Sequence, residues 1–153
     1  FMINGAITLG TYDGANVEIH GLVGDDHSVI FGLRVEDIEK LRAEGYNAWK
    51  YYNEDRRIMH VLNSLIDGTW SKDPMTFKLI YDELLYRNDE YLLLADFDAY
   101  VKAQRKIEAK YKNREEWLSS CLYNIGKAGF FSTDRTIQNY SDDIWHLEKV
   151  YFD

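Results

Sequence analysis

At 153 residues the chain can bury one sizeable core, and 46% apolar with 29% charged residues is a globular rather than a disordered composition. The formal net charge of −8 comes without a basic tract, a field that opposes nucleic acid, and no apolar run approaches the roughly 18 residues of a membrane span. The single cysteine, Cys121, excludes an intrachain disulfide framework and fits a reducing, cytoplasmic compartment. Within its helical pattern it reads as a buried structural thiol.

The first eighteen residues, FMINGAITLGTYDGANVE, are the stretch around which the rest is organised. Ile3, Ala6, Ile7 and Leu9 form an apolar run too short for an independent helix, and they read as a buried strand ending at Gly10. A turn follows at Gly10-Thr11-Tyr12-Asp13-Gly14, and Ala15 to Ile19 restarts at helical spacing. In open α/β sheets ligands sit at the carboxyl ends of strands, so Gly10 to Asn16 is the first place to look for chemistry. The spacing is neither the dinucleotide pattern nor a P-loop, and by itself it equally fits a strand-to-helix connection that touches no ligand.

Residues 20 to 27, HGLVGDDH, read as a loop, and Ser28 to Gly32 as a second buried strand. Arg34 to Glu44 is a helix with Val35, Ile38 and Leu41 on one face, stopped by Gly45. This strand–helix–strand–helix opening argues for the end of a parallel α/β sheet. From Tyr46 onward the pattern is helical. Ala48 to Asp67 is expected to be helix, broken near Asn53, and Met75 to Tyr86 helix begun by Asp73-Pro74. Tyr91 to Ala95 reads as a short strand and Phe97 to Lys112 as a long charged helix. Asn113 with Glu116 forms a capping box for the next helix, and Ser132 or Thr133 caps a last one carrying Ile137, Tyr140, Ile144 and Trp145.

The four histidines, His20, His27, His60 and His146, are scattered without metal-ligand spacing and read as surface or satisfied side chains. The acidic pairs Asp25-Asp26 and Asp142-Asp143 read as solvated charges, and Asn139-Tyr140-Ser141 as a chance sequon. No repeat or low-complexity tract is present. Residue chemistry alone therefore ends at an α/β edge with a helical extension, a ligand-facing turn and no self-contained catalytic set.

The pattern FM-x-NGA-x-T-x-GT-x-DGANVE at Phe1 to Glu18 resembles the segment that follows the cofactor lysine in the α-glucan (glycogen, starch and maltodextrin) phosphorylases. The resemblance continues through Phe31 to Asp37, Gly45-Tyr46-Asn47, Tyr51-Tyr52, Ala95-Asp96-Phe97, Asn124-Ile125 and Phe131 to Ile137, with Tyr140 and Ile144-Trp145.

What the resemblance implies is a C-terminal piece of a larger enzyme of the GT-B type. Residues 1–45 would be the tail of its Rossmann-like, cofactor-side domain, with two short parallel strands. Residues 46–153 would be the helical extension of that domain. Such enzymes transfer a glucosyl unit from an α-1,4-glucan to inorganic phosphate, giving glucose 1-phosphate, and the 5′-phosphate of pyridoxal phosphate assists the protonation. The attachment lysine would immediately precede Phe1, and the groups gripping cofactor phosphate, substrate phosphate and sugar would lie further upstream. On this reading no residue here is catalytic and the chain alone is inactive. Asn4, Thr11, Asp13, Gly14 and Asn16 are expected to shape the floor beside the cofactor, with purely local turn geometry as the other reading of those five. The alternative function is a non-catalytic structural or interaction module derived from a phosphorylase tail. Its partner would be the missing N-terminal half or a second copy of itself.

Overall fold

The computed structural model describes residues 1–148 and 150. After a 3-10 turn at Met2–Asn4 come β1 (Leu9–Thr11), α1 (Ala15–Val23), β2 (Val29–Phe31), α2 (Val35–Ala43), α3 (Ala48–Glu54) and α4 (Arg56–Ser64). Then follow α5 (Lys78–Leu85), α6 (Leu93–Lys112), α7 (Arg114–Lys127), a 3-10 turn at Ala128–Phe131, α8 (Thr133–Asn139) and a wider π turn at Tyr140–Trp145. β1 and β2 are parallel neighbours in a two-stranded sheet, joined by α1, so the helix-rich α/β reading holds.

The chain forms two compact units. One joins Phe1–Leu9, Asp13–Val29 and the chain from Ile107 onward; the other joins Gly10–Tyr12 with Ile30–Lys106. In the first unit α7 packs against α1 and against the Met2–Asn4 turn. That contact shortens the strand expected from Ile3. Gly5 closes the turn at φ +79, and a Cβ there would lie 3.2 Å from Cβ of Cys121, so only glycine lets the segment lie this close to α7. Ile3 is consequently exposed and the strand itself is limited to Leu9–Thr11, which is half-buried rather than buried. Cys121 is likewise half-buried.

α1 runs on to Val23, through residues expected to be loop, and Gly24 ends it by donating its N–H to the His20 carbonyl at 2.7 Å. The last expected helix does span Thr133 to Trp145, but its gauge widens at Tyr140. Ser132 is its cap, accepting the Arg135 N–H at 3.3 Å. Asn113 caps α7 by accepting the Glu116 N–H at 3.4 Å, as the capping-box spacing predicts.

The second unit has its own core of Ala48, Ile58, Leu62, Tyr81, Leu85 and Leu94, edged by Tyr46, Trp49, Tyr51, Tyr52 and Phe97. The break in the long helix falls at Asp55, whose extended backbone (φ −114, ψ 108) ends α3 and whose carboxylate accepts the Arg57 N–H at 2.8 Å to start α4. The proline does not open α5. The Asp73 carboxylate accepts the Met75 N–H at 2.9 Å and its carbonyl the Thr76 N–H at 3.2 Å, which holds a turn there, and the helix begins at Lys78.

No strand forms over Tyr91 to Ala95 either; these residues lead into α6. Asp89 decides this. Its carboxylate, on a residue only 2% exposed, accepts the Leu94 N–H at 2.8 Å and the Tyr46 hydroxyl at 2.7 Å. Leu92 and Leu94 then drop into the interior. Five apolar residues in a row carry no period that separates strand from first helical turn, so a remote hydrogen bond settles it. Asn88 beside it bridges the Tyr46 carbonyl and the Ala48 N–H, capping α3 from forty residues away. Asn88 and Asp89 sit at positive φ (62 and 47), a region these two residue types tolerate. Burial first, then the Asp89 carboxylate, pushes the Tyr46 phenol far above its ordinary pKa, so it stays a donor.

Asp89→Ala is expected to cost about 2–4 kcal/mol by leaving the Tyr46 hydroxyl and the Leu94 N–H unpaired inside. Asp89→Asn, whose amide oxygen can take both donors, should cost under about half of that; urea denaturation of the two variants checks the ranking. Asp55 gives the pH dependence. The Arg57 side chain holds its carboxyl at about 2, below the ordinary 3.8. The stabilisation is therefore complete above pH 4 and lost as pH falls toward 2, and Asp55→Ala should flatten that part of the thermal-stability profile while costing about 1 kcal/mol at neutral pH.

Candidate functional site

The turn singled out from the sequence lies at the carboxyl end of β1. Gly14, at φ +49, is the residue from which α1 starts, and the carbonyls of Asp13 and Gly14 accept the N–H groups of Asn16 and Val17 at 3.1 and 3.2 Å. Only a residue without a Cβ adopts that φ readily, so the glycine sets the angle at which α1 leaves the bend.

In the first unit an apolar cavity of about 710 Å³ opens beside this bend. Phe1, Ile3, Ala6, Ile7 and Leu9 form one side, Ala15, Asn16 and Ile19 a second, and Ala128, Gly129, Phe131 and Ser132 a third. Thr8, Asn16 and Ser132 are its polar edge. The lining is mostly apolar, with Ile7, Leu9 and Phe131 among its larger side chains, a composition that fits one wall against a flat aromatic group. No lysine or arginine lines the cavity, so an attachment amine or a phosphate grip would have to come from other residues.

Of the five residues expected to shape a floor, Asn16 lines the cavity. Asn4 is exposed at the end of the first 3-10 turn, Asp13 and Gly14 are exposed in the bend, and Thr11 is the last, half-buried residue of β1.

In the second unit the turn after β2 is held by a residue that spacing could not assign. Asp96, in the first turn of α6, accepts the Leu33 N–H at 2.8 Å through Oδ1. Gly32 is at φ +85, and a Cβ there would sit 2.6 Å from Oδ2 of Asp96 and 3.1 Å from Cγ2 of Thr11. The next residue but one, Arg34, places its guanidinium 3.9 Å from the centre of the Tyr12 ring. Burial raises the Asp96 pKa, and the Leu33 N–H opposes that shift. Gly32 was legible as a strand-ending glycine and Asp96 as part of the Ala95-Asp96-Phe97 motif, but not the bond between Asp96 and Leu33, which spans 63 residues.

Among the described residues no group of three or more His, Cys, Asp or Glu side chains could hold a metal ion, and no helix is long and apolar enough to cross a membrane. His20 and His27 are occupied with Ser28 and Ser120 at 2.8 and 3.0 Å.

Comparison with known proteins adds the family. The family model described as carbohydrate phosphorylase matches residues 1–147. Glycogen phosphorylase of Haemophilus influenzae is 46% identical over 151 residues, which is 98% of this chain and 18% of that protein. Glycogen phosphorylase of Bacillus subtilis is 44% identical over 98% of this chain and 19% of its own length. The muscle form of glycogen phosphorylase from Homo sapiens is 44% identical over 97% of this chain and 18% of its own length. The chain thus spans about a fifth of the length of the curated relatives it matches.

Two alanine substitutions separate backbone strain from contact at the β2 turn. Gly45 is at φ +86, and a Cβ added there would meet nothing within 4 Å. It therefore reports the left-handed backbone alone, and Gly45→Ala should cost about 1 kcal/mol. Gly32→Ala adds the collision with Asp96, and urea denaturation should place it at least about 1 kcal/mol below Gly45→Ala.

Proposed function

Because the chain belongs to the carbohydrate phosphorylase family, we propose that it is the C-terminal part of an α-glucan phosphorylase and contributes structure, not catalytic groups, to that enzyme. The whole enzyme would transfer a glucosyl unit from an α-1,4-glucan to inorganic phosphate, giving glucose 1-phosphate, in the cytoplasm. The observation that carries the reading is a family match running through residues 1–147 while covering only 18–19% of the length of proteins named glycogen phosphorylase.

Pyridoxal phosphate, when bound by the whole enzyme, supplies acid–base chemistry through its 5′-phosphate. In this reading its lysine lies before Phe1. This chain's residues do the positioning. Asn16, with Ile7 and Leu9, offers a wall; Thr11, Asp13 and Gly14 fix the bend that carries α1 away from it; Asn4 ends the turn that pins the opening segment against α7. Residues 1–45 complete the cofactor-side domain and residues 46–153 extend it. Excluding water from an anion-rich site strengthens every interaction there, which is what a rigid apolar wall provides.

A second reading, self-association as an interaction module, draws support from large apolar side chains left exposed in both units. Ile3, Leu122 and Ile144 are exposed in one, and Trp70, Met75, Leu79 and Tyr86 in the other.

The chain should release no glucose 1-phosphate from glycogen and phosphate by itself. The same chain joined to the upstream region of a family member should release it and show cofactor absorbance. Turnover by the chain alone, or none from the joined protein, overturns the reading. Light scattering of the isolated chain should give a mass that rises with concentration, whereas a constant monomeric mass removes self-association.

A further inference from the structure

We infer that Asp96 is a positioning residue: its carboxylate fixes the turn that ends β2 and, through Gly32, the side chain of Thr11 at the end of β1. The functional half of this inference rests on the phosphorylase reading above.

Three contacts within the second unit carry it. Oδ1 of Asp96 accepts the Leu33 N–H at 2.8 Å, so the backbone just beyond β2 is tied to α6. Oδ2 lies 2.6 Å from where a Gly32 Cβ would sit, and the methyl of Thr11 lies 3.1 Å from the same point. Asp96 and Thr11 thus both border the space beside Gly32, so where the carboxylate sits bears on the packing around the Thr11 methyl. Arg34 follows Leu33, its N–H bonded to the Asp37 carboxylate at 3.1 Å and its guanidinium 3.9 Å from the Tyr12 ring centre. One acidic side chain on α6 thus sets the backbone that presents Thr11, Tyr12 and Arg34 at the carboxyl ends of both strands, where α/β folds place their ligands. A neutral acceptor would make the Leu33 bond without the cost of burying a charge, the cost that raises the Asp96 pKa. The charge is held in place by that N–H and by the start of α6.

The test uses the chain joined to its upstream phosphorylase region, so that cofactor and turnover can both be read. Asp96→Ala should speed hydrogen exchange of the Leu33 amide, change the fluorescence of bound pyridoxal phosphate, and lower kcat about tenfold with KM for glucose 1-phosphate within about twofold. Asp96→Asn, whose amide oxygen accepts the same N–H, should recover all three. Leu62→Ala, in the core of the same unit, should lower thermal stability without moving cofactor fluorescence or kcat. If Asp96→Ala does not fold, Gly32→Ala displaces the same carboxylate from the opposite side and should give the same signature.

Faster Leu33 exchange with unchanged fluorescence and kcat makes Asp96 a clasp without functional reach and overturns the inference. Leu62→Ala reproducing the Asp96→Ala signature overturns it as well. A parent joined protein with neither cofactor nor phosphorolysis instead removes the phosphorylase reading, and the functional half of the inference with it.

Discussion

A carboxylate removed from water must be fully paired or it destabilises the fold by several kcal/mol. Asp89 meets that requirement with the Tyr46 hydroxyl and the Leu94 N–H, and the second unit is arranged around the solution. The two donors come from the segment before α3 and the first turn of α6, so satisfying one side chain fixes where both helices begin. Asn88, its neighbour, adds two bonds to the same segment. The apolar core of Ile58, Leu62, Tyr81, Leu85 and Leu94 supplies most of the stabilisation, but burial is non-directional. It is the polar knot that selects one arrangement of those side chains among several of similar area.

The first unit uses the same device with different residues. Asn124 is fully buried on α7 and donates both amide hydrogens, to the carbonyls of His27 and Ser120, each at 2.9 Å. Ser120 accepts from His27 and donates to the Asp26 carbonyl at 3.3 Å, and Lys110 donates to that same carbonyl at 2.8 Å. The loop Gly24–Ser28 is thereby stitched to α7 and the end of α6. Both donors of Asn124 being committed, its Oδ1 has no hydrogen-bond partner among the described residues. An unpaired buried acceptor costs about 1–3 kcal/mol, so the two bonds made by the amide nitrogen outweigh it.

Glycine geometry matters at three further points. Gly14 gives the exit angle of α1, Gly5 lets the opening turn reach α7, and Gly32 makes room for Asp96. Gly14 and Gly32 were visible as punctuation and Gly5 was not, and the neighbours that Gly5 and Gly32 approach were not visible. That distinction runs through the whole chain. Capping spacings at Asn113 and Ser132, the stop at Gly45, the break near Asn53 and the strand–helix–strand opening were legible because they depend on neighbours within four residues. The strand expected over Tyr91 to Ala95 failed because its outcome belongs to Asp89, Tyr46 and the core. The proline start of α5 failed because Asp73 could satisfy the same N–H groups in a turn.

The amino-acid sequence by itself determined the helical character, the sheet edge, the glycine bend and the phosphorylase kinship, since local propensity, periodicity and ordered motifs are written along the chain. Only the tertiary structure decided that Asn16 faces a cavity, that Asp96 clasps Gly32 and Leu33, and that Asp89 and Asn124 hold their units. Those facts join residues roughly forty to a hundred positions apart, and hydrogen bonding acts over about 3 Å of space whatever the separation in sequence.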